Sequence, residues 1–389
     1  MNQDIIYLDN AATTPVDPAV IEAMTACLGL DGDFANPSST HSQGLGARRL
    51  VENAREQIAG RVKAASNEII FTSGATESNN LALQGVVAAS SAARKHIVTT
   101  RIEHHSVLDT ARVLSERGVG VSYVDCDEQG LISTERLLQA INDDTLLVSV
   151  MQVNNEIGVV QNIAEIAAAC HERGVLIHVD AAQSAGKVPL DLGAWQIDLC
   201  SLTAHKMHGP KGIGALSIRK GTKLAPLLHG GEQESGLRAG TLATHQIVGM
   251  GEAFQLADPN VEGPKLEALR SLLWVGLQNI DGARLNGCAE HSAPHVLNVS
   301  FAGVDGESLR FGLSDIAVSA GSACASDTSE PSHVLSSIGL SDTLAQSSLR
   351  FSVGRFTRRA DLERVCERTI EEVGRLRALT GSAPAWCSS

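Results

Sequence analysis

Ile197-Asp198-Leu199-Cys200-Ser201-Leu202-Thr203-Ala204-His205-Lys206-Met207-His208-Gly209-Pro210-Lys211-Gly212 reads as a short apolar strand that ends in hydroxyl and imidazole side chains. A lysine follows, and then a Gly/Pro/Lys/Gly turn. Upstream, a second apolar run, Val175-Leu176-Ile177-His178-Val179, ends at Asp180, with Gln183 one turn later. An acid at one strand end and a lysine at another suit pyridoxal-phosphate chemistry. The amine can form a Schiff base, and the carboxylate can pair with the protonated pyridine nitrogen so that the ring acts as an electron sink. Taken alone, Lys206 would read as a surface lysine and Asp180 as a helix cap. The surrounding pattern decides between the two readings.

Short β-branched runs alternate with helical stretches through the first two thirds of the chain. Strands are expected near residues 68–72, 96–99, 121–124, 146–151, 175–179, 199–202 and 214–218, and helices near 44–62, 78–89, 106–117, 134–140 and 163–173. Continuously apolar strands separated by helices predict an α/β fold with a mostly parallel sheet covered on both faces. Ligands in such sheets bind at the carboxyl ends of the strands. Residues 73–76, His104, Asp180, Thr203, His205 and Lys206 all follow expected strands and so can converge. Asp-Pro-Asn and Gly-Pro near 258–264 mark a break. A helix over 265–278, strands near 297–301 and 348–353 and a last helix over 361–379 follow. The division expected is a large domain over 16–260 and a smaller α+β domain formed by 1–15 with 261–389.

The bulk composition is that of a globular protein: 389 residues, 43% hydrophobic and 19% charged. A net charge of −13 argues against nucleic acid or an anionic membrane surface as the main partner. No basic-then-apolar leader opens the chain, and no apolar run approaches the roughly 20 residues of a spanning helix. A cytoplasmic location is the default expectation. The eight cysteines lack any C-x-x-C pair, which fits neither a disulfide framework nor a zinc site.

Four further stretches carry chemistry. Phe71-Thr72-Ser73-Gly74-Ala75-Thr76-Glu77-Ser78-Asn79 follows a strand and opens a helix, so Ala75 and Thr76 can offer N–H groups and a hydroxyl to a phosphate. The same string also describes a plain capped helix start. Arg101-Ile102-Glu103-His104-His105 raises a metal reading, but neighbouring residues of an extended segment point apart. His104 is better placed to stack on a planar ring and move protons. In Val153-Asn154-Asn155-Glu156-Ile157-Gly158, Asn155 can bond a cofactor or substrate oxygen, or the stretch can be an Asx turn. In Val318-Ser319-Ala320-Gly321-Ser322-Ala323-Cys324-Ala325-Ser326-Asp327 nothing anchors in a core. A mobile, exposed loop is expected there, in which Cys324 can serve as a nucleophile. Arg350, in an expected strand, can clamp a carboxylate.

Together these strings resemble the cysteine desulfurases of the NifS/IscS type, fold-type-I pyridoxal-phosphate enzymes of the class V aminotransferase family. The resemblance runs from Tyr7-Leu8-Asp9-Asn10-Ala11-Ala12-Thr13-Thr14-Pro15 almost to Leu379. It implies a seven-stranded sheet in the large domain and the coenzyme pyridoxal 5'-phosphate. Lys206 would carry the coenzyme and remove the substrate Cα proton. Asp180 would hold the pyridine nitrogen and Gln183 the phenolic oxygen. Ala75, Thr76, Thr203 and His205 would bind the phosphate, with Thr241 reaching in from the second subunit of a homodimer. His104 would stack on the ring, and Asn155 and Arg350 would hold the substrate carboxylate with Asn36 nearby. Sulfur from L-cysteine would pass to Cys324 as a persulfide, leaving L-alanine. It would then go to an acceptor protein, an iron–sulfur scaffold or a sulfur carrier, as in iron–sulfur cluster assembly or tRNA thiolation. Cys324 could also ligate an iron–sulfur cluster transiently with a partner.

Three departures from the family pattern stand out. Thr203 replaces a serine but keeps the hydroxyl. Ser235, in Gly230-Gly231-Glu232-Gln233-Glu234-Ser235-Gly236, stands where arginine is usual. The chain also stops soon after Leu379, short of the tail by which IscS members dock a scaffold. The alternatives are another pyridoxal-phosphate lyase or aminotransferase, or a selenocysteine lyase. Cys324 favours sulfur transfer, because lysis and transamination need no thiol.

Overall fold

The computed structural model describes residues 5–320 and 331–381; Cys324 lies outside the described residues. The chain begins with β1 (Ile6–Tyr7), α1 (Pro18–Thr25), α2 (Ser42–Val62), β2 (Ile69–Thr72) and α3 (Ala75–Ala89). There follow β3 (His96–Thr100), α4 (His105–Glu116), β4 (Gly120–Val124), α5 (Thr134–Ala140), β5 (Thr145–Met151) and α6 (Ile163–Glu172). Next come β6 (Leu176–Asp180), β7 (Leu199–Thr203), β8 (Gly214–Ile218), α7 (Thr244–Leu256) and α8 (Pro259–Leu277). The last third holds β9 (Ala283–Leu285), β10 (Val296–Phe301), α9 (Gly306–Gly312) and β11 (Ile316–Ala317). It ends with α10 (His333–Ser337), α11 (Asp342–Gln346), β12 (Ser348–Ser352) and α12 (Arg359–Thr380).

Strands β2 to β8 form one seven-stranded sheet in the order β2-β8-β7-β6-β5-β3-β4. All pairings are parallel except those of β8, which runs antiparallel to both β2 and β7. The strands are apolar because both faces are covered. One face buries Val98, Val148, Val150, Ile177 and Val179 under α2, α6 and α7, and the other packs Leu147, Leu199 and Leu216 against α3 and α4. Polar side chains inside this sheet bridge strands. His178 on β6 bonds Ser149 at 2.8 Å through one ring nitrogen and Ser201 at 2.9 Å through the other.

Ile6 and Leu8 lie in a separate core with Leu273, Val299, Phe301, Phe351, Val365 and Leu376. β1 pairs in parallel with β11, while β10 lies between β12 and β9 in a three-stranded antiparallel sheet. Among the described residues no helix is long and apolar enough to cross a membrane.

Several short elements were not expected from the sequence, and two of the departures involve longer helices. The break placed at 258–264 falls inside α8, which starts at Pro259 and contains Pro264. Asp258 caps it by accepting from the Asn260 N–H, and proline at the first position costs nothing because its N–H would have no partner there. Helix α7 was not foreseen. Its glycines lower helix propensity but allow close packing: a Cβ at Gly251 would lie 2.7 Å from the Ala54 Cα on α2.

The segment before α7 is tied to α2 by a buried ion pair and to β2 by a backbone hydrogen bond, both through Glu234. The Glu234 carboxylate accepts from Arg55 Nη1 at 2.9 Å and Nη2 at 2.8 Å, and from the Phe71 N–H at 2.6 Å. Arg55, from α2, also sits 4.7 Å above the Phe71 ring. Ser235, beside this anchor, is exposed with a left-handed backbone (φ 57°). Glu234→Ala leaves a buried guanidinium and a backbone N–H without their acceptor. It is expected to cost about 3 kcal/mol, read as a lower denaturation midpoint; an unchanged midpoint would show that the pair carries no stability.

Candidate active site

A cleft of about 430 Å³ opens at the carboxyl ends of β2, β5, β6 and β7. Ala75, Thr76, His104, Asn155, Asp180, Gln183, Thr203, His205 and Lys206 all line it. Nine residues selected from the sequence are thus brought to one place. Asn36 and Thr241 are exposed and lie outside this cleft, and Arg350 is buried behind it. A second cleft of about 570 Å³ lies around Arg48, Glu52, Arg55 and Glu234 and has no lysine in its walls.

One end of the cleft suits an anion. Helix α3 begins at Ala75 after Gly74, and no side chain caps its N-terminal N–H groups. Glu77 is drawn away by Arg238 (2.9 Å) and by the Ser73 N–H (2.7 Å). The Thr203 hydroxyl, at the end of β7, is buried with no hydrogen-bond partner among the described residues. An uncapped helix start beside an unpartnered buried hydroxyl fits a phosphate. The turn is held close by glycine: a Cβ at Gly214 would fall 2.6 Å from the Gly74 Cα.

The other end is set by Asp180. It is 4% exposed, and its Oδ1 accepts from the Ala182 N–H and its Oδ2 from Asn79 Nδ2, at 2.9 and 2.8 Å. A ring nitrogen bearing a proton fits beside such a carboxylate. Lys206 follows β7, the strand adjacent to β6, in a half-buried turn. Gln183 Nε2 donates to the Ala11 carbonyl, and its Oε1 faces His295 Nε2 at 3.2 Å. His104 caps α4, taking the Ser106 N–H on Nδ1 at 3.1 Å. The segment holding both histidines is therefore a helix start rather than an extended strand, and the two rings stand 6.4 Å apart at 74°.

Residues 153–158 contain the expected Asx turn, and Asn155 lies beside it in the cleft wall. Asn154 makes the Asx-type turn, its Oδ1 accepting from the Glu156 and Ile157 N–H groups, while Asn155 faces the cleft. Arg350 Nη1 donates to the Asn155 carbonyl and Nη2 to Asp9 Oδ1, each at 2.8 Å, and its Nε is buried without a partner among the described residues. Asp9 comes from the N-terminal string, a pairing no local pattern signals. Both chain ends flanking residues 321–330 are fixed near the cleft. Ser319 exchanges backbone bonds with Arg350, Ser332 donates to Glu156, and His333 bonds the Glu103 carbonyl.

Sequence reasoning passed over Asn79, Ser106 and Glu103 as participants. The available signal was spacing: Asn79 lies three residues after Thr76, on the same face of α3. Glu103 is fully buried, with Oε1 taking the Thr100 hydroxyl and the Met151 N–H while Oε2 has no partner among the described residues. Burial, aided by the Asp180 charge, pushes its carboxyl up to about 8.

Burial and the nearby Lys206 charge pull His104 and His205 down to about 4. Burial likewise brings His178 and His208 to about 4, and His295 well below its ordinary range. As pH falls through 6.5, the unfolded chain binds these protons and the folded protein does not until about 4. Stability is therefore present above 6.5 and is lost toward 4. Glu103 acts in the opposite sense, one group against five. The denaturation midpoint is expected to drop steadily from about pH 7 to about pH 5, and a flat profile would contradict these assignments.

The sequence matches the family model for aminotransferase class-V over residues 6–365. It is 51% identical to the cysteine desulfurase IscS of Aeromonas hydrophila, over 98% of this chain and 95% of the relative. Among solved structures, a NifS-like protein aligns with a TM-score of 0.89 at 37% identity, covering 96% of this chain and 100% of that one. A structure described as SspA in complex with cysteine aligns with a TM-score of 0.82 at 38% identity, covering 91% of this chain and 100% of that one.

Proposed function

We propose that this chain, which belongs to the class-V aminotransferase family, is a cysteine desulfurase that takes sulfur from L-cysteine and uses pyridoxal 5'-phosphate as coenzyme. The observation that carries this reading is the convergence of three features in one cleft: Lys206, the buried Asp180 carboxylate, and the uncapped start of α3 beside the unpartnered Thr203 hydroxyl. The 51% identity to a curated cysteine desulfurase, over 98% of this chain, supports the substrate.

Lys206 would hold the coenzyme, Asp180 its ring nitrogen, and Gln183 its phenolic oxygen. Ala75, Thr76, Thr203 and His205 would hold its phosphate. When bound, the coenzyme withdraws electrons from the substrate Cα. The chain's own work is then positioning and proton movement. The Lys206 amine takes the Cα proton. Asn155 faces the substrate carboxylate. Arg350 fixes the Asn155 backbone from behind and has one further N–H, on Nε, to offer.

The Cys324 thiolate attacks the substrate sulfur. A sulfur–sulfur bond forms as the carbon–sulfur bond breaks, and Cβ keeps the electron pair and takes up a proton; Lys206 returns the proton to Cα, and alanine leaves. The anchored flanks of residues 321–330, at Ser319 on Arg350 and Ser332 on Glu156, support a thiol that works at this cleft. A sulfur-acceptor protein, an iron–sulfur scaffold or a sulfur carrier, would take the persulfide sulfur. The exposure of Thr241 and its place outside its own cleft support a homodimer in which it serves the other copy's phosphate site. We divide the chain at about residue 260, with the N-terminal residues joined to the smaller part through the core that Ile6 and Leu8 share with α12.

Lys206→Ala is expected to lower alanine formation from L-cysteine by at least about 1000-fold. Cys324→Ser should keep the visible absorbance of the lysine-bound coenzyme and lose persulfide and sulfide release. A Cys324→Ser protein that still forms alanine and sulfide at the full rate would remove the persulfide step.

A further inference from the structure

Four groups in the cleft wall form a chain of hydrogen bonds whose direction is fixed from one end. Asp180 Oδ2 can only accept from its neighbour, so the amide of Asn79 must turn its Nδ2 toward it, at 2.8 Å. Turning the amide over would set Asn79 Oδ1 against the carboxylate. The second hydrogen on Nδ2 goes to Ser106 Oγ, also at 2.8 Å. Ser106 Oγ therefore accepts from Asn79, and its own hydrogen is free for His104 Nδ1 at 2.9 Å. That nitrogen also receives the Ser106 backbone N–H at 3.1 Å. Two donors converge on Nδ1, so the ring hydrogen belongs on Nε2.

We infer that Asn79 and Ser106 are positioning residues that lock His104 as the neutral imidazole with its proton on Nε2, on the authority of the Asp180 carboxylate. The inference rests on the desulfurase reading for what the lock is used for, but not for its existence. Protonating Nδ1 would place an N–H against the Ser106 N–H and undo the cap of α4. The charged and titratable groups around the ring act in the same direction or are outweighed. Lys206 from the turn after β7, His105 in the first turn of α4 and His333 on α10 oppose a second positive charge, while Asp180 on β6 favours one. Burial is larger than any of them.

The consequence is a division of labour. A neutral His104 with Nδ1 occupied offers the cleft a donor and no lone pair. It can hold an oxygen or sulfur that gains charge, whereas taking a proton from the substrate falls to Lys206.

The test is the tautomer itself, read in the coenzyme-free protein by two-bond ¹H–¹⁵N correlation with labelled histidine. His104 is identified among the 13 histidines by its loss in His104→Gln. The wild type should show Nε2 protonated and Nδ1 bare at neutral pH. Ser106→Ala should raise the His104 titration midpoint by about one pH unit, the worth of one hydrogen bond to a buried acceptor. Asn79→Leu should give a mixture of tautomers, and Ser106→Thr should restore the wild-type spectrum. A wild-type proton on Nδ1, or a Ser106→Ala protein that titrates like the wild type, would overturn the proposal. Alanine formation from L-cysteine by the wild type tests the desulfurase reading separately, since the coenzyme-free spectrum does not depend on it.

Discussion

A carboxylate sealed at the end of a central strand must be met by donors, and Asp180 imposes that requirement on its surroundings. Two are built in, the Ala182 N–H and the Asn79 amide. Its remaining lone pairs face a cleft that also contains the Lys206 amine. Burial makes the group costly to leave unmatched, and the same low dielectric makes it effective on a cationic ring nitrogen. The order of the strands places it there: β6 lies next to β7, so Asp180 and the turn bearing Lys206 emerge side by side.

The anion end depends on backbone packing more than on charge. Strand β8 returns antiparallel between β2 and β7, and its first residue, Gly214, lies under the Gly74 turn. Without a side chain there, the start of α3 can settle against β7 and bring its N–H groups to the Thr203 hydroxyl. The uncapped helix, the unpartnered hydroxyl and the two glycines therefore belong to one arrangement. The histidines around it stay neutral because burial and Lys206 both disfavour a second positive charge.

Much of this could be read from the sequence, for identifiable reasons. The inner strands of the sheet are covered on both faces, so their apolar runs stand out, and the residues just after several of them fall in the cleft by the geometry of parallel sheets. What escaped was set by contacts distant in sequence. Helix α7 is stabilised by glycines that permit contact with α2, although glycine disfavours helix locally. The partner of Arg350 is Asp9, 341 residues away. Asn79 and Ser106 look like ordinary helix-start polar residues until Asp180 is placed beside them.

Two lysines compete for the proposed role of the amine that holds the coenzyme, and Lys206 is the one placed in the cleft beside Asp180. Lys187 is the competitor. Its amine is buried without a hydrogen-bond partner among the described residues, and burial brings it down to about 7, in the range of a reactive lysine. Reduction of the pyridoxal phosphate-loaded protein with borohydride, followed by digestion and mass spectrometry, separates the two. The reduced label is expected on the peptide that contains Lys206. A label on Lys187, or on neither lysine, would contradict that assignment.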